Sequence, residues 1–152
     1  MENLDLFNID KKIALITGGA GYLGLEHANI LSQNGAIVYL ADFNEERLKR
    51  TQVNKGIYKI NLDVRSKSQW KNVIKKIVLK HSRLDILINN AAYTNNSKSN
   101  SFDSSFENTS LDDWNDMLDV NLTGTFLGCQ TAIIQMLKQG KGSIINISSL
   151  YG

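Results

Sequence analysis

Glycines at 19, 21 and 24 stand in a G-x-G-x-x-G spacing inside the turn Thr17-Gly18-Gly19-Ala20-Gly21-Tyr22-Leu23-Gly24, and the chemistry such a turn can do is to hold a pyrophosphate. Glycine is needed there for a sharp reversal, for close approach of backbone N–H groups to the anion, and for tight packing of helix on strand. An apolar run, Ile13-Ala14-Leu15-Ile16, precedes the turn, and a helical pattern begins near Tyr22. A helix N-terminus placed there offers unpaired N–H donors and the positive end of its dipole, so an anion needs no basic side chain, and the turn has none.

Asp42 ends the next apolar run, Ala36-Ile37-Val38-Tyr39-Leu40-Ala41, eighteen residues after Gly24. That is where a dinucleotide-binding fold places the acid that accepts the adenosine ribose hydroxyls. A carboxylate there repels the extra phosphate of NADP, and neither Phe43 nor Asn44 brings a compensating positive charge, so NAD is expected in preference to NADP. Arg47, one turn into the following helix, is the nearest cation that could reach round. His27 and Cys129 lie inside helical stretches and read as a helix-face residue and a small core residue; no metal-ligand spacing is present and no metal is expected. The lysines at 71, 75, 76 and 80, with His81 behind them, read as a solvated helix face.

Elements that would position these residues follow in order. A lead-in over 1–10 offers Leu4, Phe7 and Ile9 to pack on the first strand, at about 12–17. A helix over about 22–34, with Leu23, His27, Ala28, Ile30 and Leu31 at helical spacing, stops at Asn34-Gly35. The strand at 36–41 leads into a short helix capped by Asn44, and a third strand covers 56–62. Ser66 caps a helix with Trp70, Val73, Ile74, Ile77 and Val78 on one face. The fourth strand, 84–88, is followed by a long Ser- and Asn-rich loop from Tyr93 to Ser110, read as a mobile cover over a site. One long helix from Leu111 to about Gln139 and a fifth strand at 142–147 close the pattern. Strands alternating with helices predict an α/β, Rossmann-like, doubly wound parallel sheet of order 3-2-1-4-5, incomplete on its C-terminal side, in one nucleotide-binding domain over 1–152.

With 152 residues, 42% of them hydrophobic and 21% charged, the composition is that of a globular domain with a sizeable core and excludes a disordered chain. Lys and Arg number 17 against 15 Asp and Glu, scattered along helices, which argues against a nucleic-acid or membrane-surface partner. A single cysteine, an acidic N-terminus without a basic start, and no apolar stretch of spanning length predict a cytoplasmic protein. A parallel sheet ending at its fifth strand exposes an apolar edge, which predicts a homo-oligomer.

Several motifs in order resemble the short-chain dehydrogenase/reductase family, over the whole chain as that family's N-terminal part. They are the glycine turn from Thr17 to Gly24, Asp63-Val64 after the third strand, Asn89-Asn90-Ala91-Ala92 after the fourth with Ala92 in place of glycine, Asn121 within Val120-Asn121-Leu122-Thr123-Gly124, and Ser148-Ser149 after the fifth. Tyr22 stands where the family's commoner pattern has glycine, and Gly18, Gly21 and Gly24 match the spacing of its extended members, which include sugar-nucleotide epimerases and dehydratases.

The resemblance implies hydride transfer between a nicotinamide and a small carbonyl or alcohol substrate. It implies Ser149 as the donor to the substrate oxygen and Asn121 as the holder of a water in a proton relay. It also implies Asp63 and Val64 beside the adenine, Asn90, Ala91 and Ala92 along the nicotinamide side, and cofactor contacts from Gly18, Gly21, Tyr22, Leu23, Gly24, Asp42 and Phe43. Family members carry a Tyr-x-x-x-Lys pair a little beyond the serine; Tyr151 has no lysine four residues on and stands too close to Ser149 for that role. The chain is therefore expected to be an incomplete dehydrogenase, inactive by itself, with a non-catalytic dinucleotide-binding or assembly module as the alternative.

Overall fold

The computed structural model describes residues 8–93 and 106–149. Five parallel strands form one sheet of order β3-β2-β1-β4-β5, as the alternation of patterns predicts. They are β1 (Ile13–Thr17), β2 (Ile37–Asp42), β3 (Ile57–Asn61), β4 (Ile86–Asn89) and β5 (Ser143–Asn146). β1 lies between β2 and β4, with Ile16 opposite Leu40 on one side and Ile88 on the other. Its continuous apolar run is that of a strand covered on both faces, and every residue of it is buried.

Alternation along the strands sorts the core into two layers. Ile13, Leu15, Tyr39 and Ala41 face α3 (Lys67–His81) and α5 (Thr125–Lys138), packing on Trp70, Val73, Ile77, Leu127, Ala132 and Met136. Ala14, Ile16, Val38 and Leu40 face α1 (Tyr22–Gln33) and α2 (Glu45–Arg50), packing on Ala28 and Leu48. Asn44, Ser66 and Ser110 cap α2, α3 and α4 (Leu111–Leu118), each accepting from the backbone N–H three residues on. Ile9 packs against the α1 layer, whereas Leu4 and Phe7 lie outside the described residues.

Four expectations are corrected. The stretch 111–139 is not one regular helix: a π-helical turn, Asp119–Gly124, separates α4 from α5. The apolar pattern of α1 overstates its buried face, since Leu23 and Ile30 are exposed, only Gly24 and Ala28 are fully buried, and Leu25 and Leu31 pack on the core partly buried. Cys129 is half-buried at the edge of β5 and not in the core. His81 is no bland surface group: its Nε2 lies 2.8 Å from the Tyr39 hydroxyl, and its ring meets Tyr39 edge-on. Of the long polar loop, 94–105 lie outside the described residues, and Phe106–Asn108 form a short 3-10 turn.

The His81 contact makes stability depend on pH. Burial first, and the Lys80 charge second, hold its imidazole below the ordinary histidine value. The unfolded chain therefore takes up the proton before the folded one does. The stabilisation is whole above the free-imidazole value, about 6.5, and declines as pH falls through it toward the lower native value. Urea midpoints measured at about pH 8 and about pH 5.5 should differ for the wild type, and His81→Gln should remove part of that difference.

Candidate functional site

In a parallel sheet all carboxyl ends lie along one edge, and a ligand crevice opens where strand order reverses, here between β1 and β4. A cleft of about 630 Å³ lies at that point. Lining it are Gly18, Gly21, Tyr22, Leu23 and Gly24 from the turn, Asp42 and Phe43 after β2, Asp63 and Val64 after β3, and Asn90, Ala91 and Ala92 after β4. Arg47, Leu62, Arg65, Tyr93, Asp116 and Val120 line it as well. Gly19, the first glycine of the G-x-G-x-x-G spacing, is not in the lining: it packs against Leu40, where an added Cβ would sit 2.4 Å from Cγ. Asn121 and Ser149 are not in the lining; both are exposed, Asn121 behind Tyr93 and Ser149 past the end of β5.

The turn is built from backbone. Gly18 has φ +64°, and the Gly21 N–H donates to its carbonyl at 3.1 Å. Gly21 is the N-cap of α1 and brings no capping side chain, so the first N–H groups of the helix face the cleft without one. At Gly24 an added Cβ would sit 2.5 Å from the Gly18 carbonyl oxygen, which is why helix and turn can close only with glycine there.

Asp42 is buried yet reaches the cleft. Its Oδ2 accepts the Ala20 N–H and its Oδ1 the Asn44 N–H, both at 3.0 Å. A carboxylate offers about four acceptor positions, so about two are left for other donors. The same side chain thus shapes the glycine turn and starts the loop into α2. Tyr22 is 80% and Phe43 69% exposed, two large aromatic faces flanking the opening.

Across the cleft, β4 is tied to the turn. The Thr17 hydroxyl oxygen, on a residue 1% exposed, accepts the N–H groups of Asn90 and Ala91, each at 3.0 Å. The Asn90 amide donates back to the Thr17 carbonyl at 2.9 Å, so this side chain is turned into the turn and braces it. Thr17→Val keeps the shape and removes the acceptor, leaving two N–H groups without a partner. It should cost about 2 to 3 kcal/mol in chemical unfolding.

Asn121 sits in the π-helical turn, a local departure from α geometry of a kind frequent at functional sites. Gly124 permits it, since a Cβ there would lie 2.7 Å from Val64 Cγ2. The Asn121 amide grips the backbone of Tyr93 at both ends, its Oδ1 accepting the N–H at 2.8 Å and its Nδ2 donating to the carbonyl at 3.2 Å. The Tyr93 hydroxyl donates in turn to Asp113 at 3.3 Å. Asp63 is held by Arg65, whose Nη2 lies 2.8 Å and Nε 3.0 Å from its two oxygens, and this pairing keeps the Asp63 carboxyl below the usual range. Arg65 and Asp116 escaped the sequence reading because nothing local marks a contact across 51 positions.

The family model for short chain dehydrogenase matches residues 12–152. The chain is 35% identical over 150 residues to a cyclopentanol dehydrogenase of Comamonas sp. (strain NCIMB 9872), covering 95% of this chain and 57% of that protein. It is 40% identical over 147 residues to the 2,5-dichloro-2,5-cyclohexadiene-1,4-diol dehydrogenase LinX of Sphingobium indicum, covering 93% and 56%. The fold is similar to that of an NAD+-bound xylitol dehydrogenase, with a TM-score of 0.83 and 27% identity over 95% of this chain and 55% of that one. The chain thus spans a little over half the length of these relatives.

Proposed function

The chain belongs to the short-chain dehydrogenase family, and on that premise we propose that the protein is an NAD-dependent oxidoreductase moving hydride between the nicotinamide and a small carbonyl or alcohol substrate. The observation that carries this reading is the cleft at the reversal of strand order, where an uncapped helix N-terminus and the Asp42 carboxylate face the same space. A dinucleotide fits that donor set. The N–H groups at the start of α1 suit a pyrophosphate, the open acceptor positions of Asp42 suit two ribose hydroxyls, and the exposed faces of Tyr22 and Phe43 offer apolar cover.

When bound, the nicotinamide supplies the hydride acceptor or donor. The residues of this chain do the rest of what it contributes. Ala91, whose N–H is held by the Thr17 hydroxyl, and Ala92 would border the nicotinamide side. Ser149 donates to the substrate oxygen. Asn121 has both ends of its amide engaged with the Tyr93 backbone, so its side chain shapes the loop instead of holding a relay water.

NAD over NADP rests on the Asp42 charge, with Arg47 the opposing influence at the cleft margin. The relatives' names, both dehydrogenases of cyclic alcohols, favour oxidoreduction over sugar-nucleotide epimerisation and make a cyclic secondary alcohol the first substrate to try. A homo-oligomer is favoured by the exposed Leu122, Phe126, Ile134 and Leu137 along the π turn and α5. A cytoplasmic location suits the single cysteine. Among the described residues no helix is long and apolar enough to cross a membrane.

The test is calorimetric titration of the 152-residue chain with NAD and, separately, NADP. Saturable NAD binding, tighter than NADP, supports the reading; binding of neither contradicts it.

A further inference from the structure

We propose that Trp70 is a positioning residue for the adenine side of the cleft: its indole N–H holds the Val64 carbonyl while its ring keys α3 onto α5, and together these set where Val64 stands in the cleft wall. This inference rests on the dinucleotide reading above.

A buried tryptophan needs a partner for its one polar atom. Trp70 is fully buried, and its Nε1 donates to the Val64 carbonyl at 2.9 Å. Its neighbour Gln69 takes the Asp63 N–H on its side-chain oxygen at 2.8 Å. Consecutive side chains in the first turn of α3 thus hold the main chain just before Asp63 and just after Val64. Phenylalanine would fill much of the same volume; only the indole adds the bond, and with it a direction for the Val64 backbone.

The far edge of the ring is seated where a side chain is missing. An added Cβ at Gly128 of α5 would lie 2.9 Å from Trp70 Cη2 and Cζ2, and one at Gly124 would lie 2.7 Å from Val64 Cγ2. Four residues apart, these glycines share one face of the helical backbone, so Trp70 and Val64 stand side by side against it. Val64 is buried yet lines the cleft, together with Val120 of the π turn and Asp116 of α4. The indole therefore joins the loop after β3 to the helical segment that supplies the rest of that wall.

The experiment titrates the 152-residue chain, Trp70→Phe and Ile77→Ala with NAD and with AMP by calorimetry, with the melting temperature of each as a measure of folding. Ile77 is buried on the same helix and outside the cleft lining, so its truncation measures what lost core packing does by itself. Trp70→Phe should lower the affinity for both ligands about tenfold, the equivalent of one lost hydrogen bond. Ile77→Ala should lower the melting temperature at least as far and leave both affinities within about twofold. In a Trp114→Phe background Trp70 is the remaining one of the 2 tryptophans, and saturating AMP should change its emission with the midpoint found by calorimetry. That measurement keeps Trp70 itself, so it decides even where Trp70→Phe does not fold. A Trp70 that only fills the core would weaken binding no more than Ile77→Ala does and would leave its emission unchanged. Either result overturns the proposal and leaves the dinucleotide reading intact, as does a loss for NAD without one for AMP. A wild type that binds neither ligand overturns both.

Discussion

Replacing Asp42 by alanine is expected to weaken NAD binding about a hundredfold, the combined loss of two hydroxyl-to-carboxylate hydrogen bonds and of the support the side chain gives the turn. The two contributions can be separated. Asp42 Oδ2 accepts from Ala20 and Oδ1 from Asn44, so the alanine variant loosens the glycine turn and the approach to α2 even without ligand. Asp42→Asn keeps one acceptor oxygen for those amides, removes the charge, and should cost less NAD affinity. It should also raise the affinity for NADP, because the repulsion of the ribose phosphate goes with the charge and Arg47 then faces that phosphate unopposed. Calorimetry with both cofactors on both variants reads this directly; an unchanged NADP-to-NAD ratio in Asp42→Asn would mean that Asp42 is only a brace for the turn.

Gly18→Ala should damage the turn twice over, through backbone strain and through contact. At φ +64° an L-residue costs about 1 to 2 kcal/mol in backbone strain alone. The added Cβ would also lie 2.8 Å from the Ala91 Cα, a backbone atom held in place by Thr17 through the Ala91 N–H. Turn and β4 loop must therefore separate, and a total loss of about 3 kcal/mol is expected, together with loss of cofactor binding. Gly140→Ala is the control. It has φ +73°, but nothing lies within 4 Å of its added Cβ, so only the strain of about 1 kcal/mol should appear, with binding unaffected. Denaturant midpoints of the two variants decide whether contact or conformation dominates at Gly18.

The sequence singles out these two residues, and the structure puts both in the cleft lining, because their constraint is local. A glycine turn between an apolar strand and a helix, and an acid at the end of the next strand, are tied to their function by backbone geometry, and the order of such units dictates a parallel sheet with the crevice at its carboxyl edge. What escaped depends on contacts between distant segments. Arg65 and Asp116 meet across the cleft, and Tyr39 meets His81 beneath the sheet, with no periodic signal to announce either. The break in the long helix escaped for another reason. Its apolar spacing runs on through Leu118, Leu122 and Phe126, and only the packing of Gly124 on Val64 and the grip of Asn121 on Tyr93 mark the π turn. Asn90 lines the cleft, but its side chain is spent bracing the glycine turn.

The measurement that tests the central claim most directly is an amide NMR titration of the isotope-labelled chain with NAD. If the cleft takes the cofactor with its pyrophosphate on the N-terminus of α1, the N–H signals of Tyr22, Leu23 and Gly24 should move furthest, with smaller shifts at Phe43, Val64 and Ala91. Saturating shifts confined to other surfaces, such as α3 and α5, or no shifts at all, would contradict the assignment of this cleft as the dinucleotide site.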